Sequence, residues 1–203
     1  MFKSKTIIAI LCSITLGFIS CSSDGNKQDN NAAANTSLDS AATSSDAVDK
    51  DFVLEPGDAA GKIKINEDSE EVLKVLGRPD SSDAAMQKMV AFWYDDSEGI
   101  KHSTSIYAVR DTGDMPKARV KQIRITSPKF KASNGIGVAS TLDEIKKVYN
   151  VHKIQSFKTE NNELDVWDSH EGIAFEIDNG KACTAIIIHQ KGEELSGTYL
   201  PLR

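Results

Sequence analysis

The sequence predicts an α+β fold: two tandem units, each a helix followed by a three-stranded antiparallel meander, packed as one layered domain behind a signal peptide and a disordered tether. Three observations lead there. A short apolar helical stripe occurs twice, with Val72 in the first copy corresponding to Ile145 in the second. Each copy is followed by a tryptophan-bearing strand that runs into an acidic, glycine-ended turn. Two further β-rich runs follow in both. A helix with one apolar stripe and a meander with one apolar face must cover one another to fold, which makes a layered domain.

Residues 1–20 read as an export signal. Lys3 and Lys5 make a positive start, Thr6 to Ile19 is an apolar run, and Ser20-Cys21 ends it with a small residue and a cysteine. The run is too short for a mature membrane-spanning helix. The junction Phe18-Ile19-Ser20-Cys21 resembles the lipobox of bacterial lipoproteins, which implies cleavage between Ser20 and Cys21 and acylation of Cys21. The alternatives are an uncleaved anchor, or an ordinary signal that leaves Cys21 free.

Residues 21–55 are expected to be a lipidated, disordered tether. From Ser22 to Lys50 nearly every residue is small or polar, and Leu38 and Val48 are the large apolar exceptions. Such a segment buries too little surface to offset its ordering entropy. As a coil it would span ~30 Å, enough to stand a folded domain off a membrane.

Removal of residues 1–20 takes away Lys3 and Lys5 and moves the formal charge from −6 to −8. An acidic body argues against nucleic acid or anionic lipid as the main partner, leaving acyl chains as the attachment. Cys12 leaves with the signal and Cys21 is acylated, so Cys183 is unpaired and no disulfide staples the fold. Its place between Ala182 and Thr184-Ala185-Ile186-Ile187-Ile188 makes it a small buried strand residue.

The first unit is expected over residues 56–132. Its helix covers 67–76, with Val72, Val75 and Leu76 on one face, and Gly77 and Pro79 stop it. Strands follow at 91–99, 105–109 and 120–125. Asn134-Gly135-Ile136-Gly137 joins the units. The second unit, 133–203, repeats the order with a helix over 140–149 carrying Ile145, Val148 and Tyr149, then strands at 165–172, 173–177 and 185–188. Asp178-Asn179-Gly180-Lys181 contains the Asn-Gly pair favoured in type I′ hairpin turns.

The run Val72-Leu73-Lys74-Val75-Leu76-Gly77-Arg78-Pro79, followed by Phe92-Trp93-Tyr94 and Ile106-Tyr107-Ala108-Val109, resembles the small outer-membrane assembly lipoproteins of the SmpA/OmlA (BamE) group. The tandem arrangement is similar to β-lactamase-inhibitor-like proteins. These resemblances imply a binding or scaffolding module with no catalytic residues to carry over. The chain departs from the first group in having two units and a long tether, and from the second in lacking paired cysteines, so only fold and general role are implied.

Chemistry is sparse along the chain. His102, His152, His170 and His189 have no metal-ligand spacing. Asp95-Asp96-Ser97-Glu98 lacks the alternate ligands and downstream glutamate of a calcium loop, and Asp168-Ser169-His170-Glu171 at the corresponding place reads, like it, as a solvated hairpin turn. There is no nucleophile elbow and no phosphate loop. No catalytic residue, metal or cofactor other than the lipid on Cys21 is therefore expected. Trp93 and Trp167 read first as packing residues. Their functional alternative is an aromatic contact patch with Tyr94. The expected function is a non-enzymatic envelope lipoprotein, lipid-anchored at the outer membrane or cell surface, that binds another envelope or extracellular protein. The alternative is a lipoprotein that binds a small ligand or cell wall, which a deep aromatic cleft would favour.

Overall fold

The computed structural model describes residues 49–97, 99–158, 163–179 and 181–195. The signal, Ser20, Cys21 and most of the tether lie outside them. A single 3-10 turn, Lys50–Phe52, leads into β1 (Val53–Glu55), β2 (Ala59–Ala60) and β3 (Ile63–Lys64). Next come α1 (Ser69–Leu76), β4 (Ser81–Ala85), β5 (Lys88–Ser97), β6 (Ile100–Arg110) and β7 (Ala118–Ile125). After β8 (Lys131–Ala132) the chain forms α2 (Leu142–Val148), β9 (His152–Lys158), β10 (Glu163–Ser169), β11 (Ile173–Asp178) and β12 (Ala182–His189).

The α+β expectation of three-stranded units is overturned. The fold is mostly β, with an eight-stranded sheet in the order β4-β5-β6-β7-β12-β11-β10-β9 and a four-stranded sheet in the order β3-β2-β1-β8. Each helix precedes four strands, because β4 and β9 are the two edges of the large sheet. All five residues of β4 are exposed and β9 buries none fully. An edge strand of that kind has no buried face to write an apolar alternation into its sequence. The small sheet was missed because its strands are two or three residues long and β1 pairs in parallel with β8, from Val53↔Lys131 to Leu54↔Ala132. Leu54 is fully buried, so residues 50–55 belong to the folded body and not to the tether.

Both helices start on good caps. Asp68 accepts from the Glu70 amide at 3.1 Å, and Thr141 forms a reciprocal capping box with Glu144. Lys117, 3.0 Å from Asp68, together with that amide holds the Asp68 carboxyl below its ordinary range. The helices are shorter than expected and bury narrower stripes. Val72 and Ile145 are buried, whereas Val75 and Val148 face solvent. A two-turn helix lying on a sheet can turn only about one residue per turn fully inward.

One face of the large sheet packs beneath both helices and the small sheet, with Ile106, Ile123, Phe175, Ile186 and Ile188 among its fully buried side chains. Each contributes about 1.5–3 kcal/mol in burial. Val166, Ala174, Ile187 and Leu195 form a second cluster. The seam between the two meanders is the antiparallel β7–β12 pair, Ile186↔Ile125 through His189↔Gln122. The small sheet is seated by a close approach of two glycines. A Cβ on Gly172 (φ +88°) would lie 2.5 Å from both Gly57 Cα and the His189 carbonyl, while the Gly57 amide donates to the Gly172 carbonyl at 3.1 Å. No other residue fits there.

Candidate functional site

Three places concentrate chemistry or exposed apolar surface. The first is a cleft of about 270 Å³ between the small sheet and the β5–β6 end of the large one, lined by Phe52, Ile63, Leu76, Trp93, His102 and Phe130. Phe52 and Phe130 meet edge to face with centroids 5.2 Å apart. Trp93 sits on β5 pointing toward the main core, and its indole N–H donates to the Gly77 carbonyl at 3.1 Å, tying the end of α1 to the sheet. The polar donor of this tryptophan is thereby committed to structure.

Trp167 occupies the corresponding second strand of the other meander and also packs on the main core. Lys146 of α2 lies over its ring at 4.2 Å. Phe92 and Tyr94 project from the opposite face of β5 and stack at 6.4 Å. Tyr94, 40% exposed, is the most accessible of Trp93, Tyr94 and Trp167, and Lys101 covers its ring at 3.7 Å. The three aromatics therefore do not form one patch, since the alternation of β5 divides them between faces.

The second place is a buried pair that the sequence reading missed. Asp168, expected in a solvated turn, is buried on β10, and its carboxylate meets His189 Nε2 at 2.8 Å and the Leu195 amide at 3.3 Å. The signal available was the continuous apolar run of β11 and β12, which marks strands covered on both faces. The other ring nitrogen, Nδ1, faces the Gln190 carbonyl at 3.2 Å. Both ring nitrogens of His189 thus have partners within the fold. The pair fastens β10 to β12 across β11. Among the described residues no three metal-binding side chains converge, although His152 and His170 stack at 5.6 Å on the surface. Asp95 is exposed and bonds to Ser97 at 2.9 Å and Lys129 at 3.3 Å.

Cys183 is buried on β12, donates to the Ala185 carbonyl at 3.2 Å, and burial pushes its thiol up to about 12. A thiolate is the reactive form. The folded protein should thus resist 5,5′-dithiobis(2-nitrobenzoate) at pH 8 for as long as it stays native, and react fully in denaturant. Rapid labelling of the folded protein at Cys183 would refute this burial.

The third place is the outer end of the first meander. The β4–β5 turn has Met86 and Gln87 at φ 50° and 65°, the backbone of a type I′ hairpin turn. It lifts Met86 to 94% exposure. The β6–β7 loop brings Met115, 86% exposed, to the same end, where the Arg110 amide donates to the Gln87 carbonyl at 2.8 Å. Met89, Leu73 and Pro116 line the shallow hollows between them. Flexible, polarizable methionines on an open surface are suited to contact with another protein.

The sequence matches no family model and no curated protein. Among solved structures, an extracellular protein containing an SCP domain from Bacillus anthracis str. Ames is similar at 11% identity with a TM-score of 0.42. The match covers 63% of this chain and 44% of that one, and likeness at this level carries no argument about function.

Proposed function

We propose that the protein is a non-enzymatic, lipid-anchored module of the bacterial cell envelope, at the outer membrane or cell surface, that works by binding another protein. The observation that carries this reading is the exposed apolar end of the first meander, with Met86 and Met115 turned to solvent. Anchoring rests on Lys3, Lys5, the apolar run to Ile19 and the Ser20-Cys21 junction. The resemblance to outer-membrane assembly lipoproteins points the same way. A photo-crosslinking amino acid placed at Met86 should yield one discrete adduct in intact cells, and the same probe at Val148, exposed on α2, should yield none. No adduct at Met86, or the same adducts from both positions, sinks the reading.

A second reading, small-ligand binding, is favoured by the aromatic cleft of Phe52, Trp93 and Phe130. Its volume of about 270 Å³ lies just below the usual range of ligand pockets. In a Trp167→Phe background, a cell-wall fragment that changes Trp93 fluorescence saturably would support it.

A further inference from the structure

The two edges of the eight-stranded sheet are not alike. β9 carries Lys153 and Lys158, ion-paired to Asp165 and Glu163 of β10, and its register shifts at Val166/Trp167. Lysines and bulges on an edge discourage another strand from pairing with it. β4 has neither. Its sequence, Ser81-Ser82-Asp83-Ala84-Ala85, contains no lysine or proline, and its register with β5 is unbroken from Ser81↔Phe92 to Ala85↔Lys88.

Directly opposed residues share a face, so Ser82 and Ala84 lie on the side of Ala91 and Met89, toward α1. Both are small. They leave a trough between β4 and α1 lined by Leu73, Pro79, Ser82 and Met89. On the opposite face Asp83 lies beside Val90, exposed, and among the described residues it forms no ion pair. An open strand edge presents alternate N–H and C=O groups along its length, and what matches that spacing is another extended chain.

We infer that β4 is a docking edge for an extended segment of a partner protein, which adds as a ninth strand with apolar side chains in the Met89–Leu73 trough and a basic side chain opposite Asp83. This rests on the protein-binding reading and specifies its geometry. A second copy of this chain is a poorer occupant, because antiparallel self-pairing centred on β4 sets Asp83 against Asp83. The acidic chain, at −8 without residues 1–20, adds attraction for a basic segment.

The test uses the folded protein and synthetic peptides of the pattern Thr-Leu-Lys-Leu-Thr with blocked ends. The lysine peptide should bind in the millimolar range or tighter, and should slow amide exchange at residues 81–85. N-methylation of alternate amides should weaken binding about tenfold in one phase and little in the other, since only one phase faces β4. Replacing the lysine by glutamate should weaken binding about threefold, and Asp83→Lys should reverse that preference. No binding at millimolar concentration, equal sensitivity to both methylation phases, or protection elsewhere than β4 overturns the inference. So does a stable dimer of the free protein in sedimentation that Asp83→Lys disrupts or tightens. If the peptide arms fail while the Met86 crosslink persists, strand addition is wrong and protein binding stands.

Discussion

Glu176→Ala is expected to lower the unfolding free energy by about 3–5 kcal/mol, because it takes the bidentate carboxylate away from a buried guanidinium at the seam of the large sheet. Arg124 of β7 reaches Glu176 of β11 with two parallel bonds of 2.8 Å, Nε to Oε1 and Nη2 to Oε2. The side chains are only 10% and 2% exposed. The arginine passes over β12, where Ala185 stands opposite Glu176 and Ile187 opposite Arg124. It therefore bridges the first meander to the second at the place where they join. The geometry is the bidentate one in which an arginine and a carboxylate pair best, but desolvation of both ions offsets much of the attraction. Removing one partner and removing both should differ sharply. The double change Arg124→Leu with Glu176→Leu should recover most of the loss, and Arg124→Lys with Glu176 kept should not match the native pair, since an ammonium cannot hold both oxygens in that plane. Urea midpoints with unchanged slopes would measure this. A loss below about 1 kcal/mol for Glu176→Ala would show that the pair is solvated in the folded protein.

What the sequence displayed clearly were the elements whose local signals agree with their tertiary place. α1 and α2 announced themselves by a capping residue, a short stripe and a stop, and Val72 and Ile145 are the apolar residues that the two helices bury. The tryptophan strands were legible because Trp93 and Trp167 sit among aromatic and β-branched neighbours. β4 and β9 were illegible for a physical reason: pairing on one side gives them hydrogen bonds without burial, and periodicity reports burial. The small sheet was illegible for another. Its stability comes from contacts between residues near 54 and residues near 132, so nothing within any short window encodes it.

The candidate site divides along the same line. Tyr94 and the two tryptophans could be named from the chain, but only the register places Phe92 and Tyr94 on one face and Trp93 on the other. Met86 and Met115 carried no signal at all, since a methionine in a turn looks like any other loop residue until the fold sets both at one end of a meander. Asp168 shows the converse error. Its acidic, turn-like neighbourhood promised solvent, yet the paired sheet face over it is closed and His189 satisfies it.

Cys21→Ala is expected to move the protein from the membrane fraction to the soluble fraction almost completely. The reason is that the proposal gives the acyl chains on Cys21 as the attachment. Among the described residues no helix is long and apolar enough to cross a membrane. The body without residues 1–20 carries a formal charge of −8 and is repelled by anionic headgroups. Acyl chains supply about 0.8 kcal/mol for each buried methylene, and stable anchoring takes more than one chain, which the diacylglyceryl and amide-linked groups of a processed lipoprotein provide together. An unprocessed signal would itself retain the protein, so the variant must be carried on an ordinary cleavable export signal in place of residues 1–20. Detergent phase partitioning then compares it with the native chain, and intact mass reports the modification directly. The native protein should weigh more than residues 21–203 by the mass of its lipid and partition with detergent. A native mass equal to the bare chain, or a Cys21→Ala chain that still enters the detergent phase, would remove the anchor from the proposal and leave the body an envelope protein held by its partner alone.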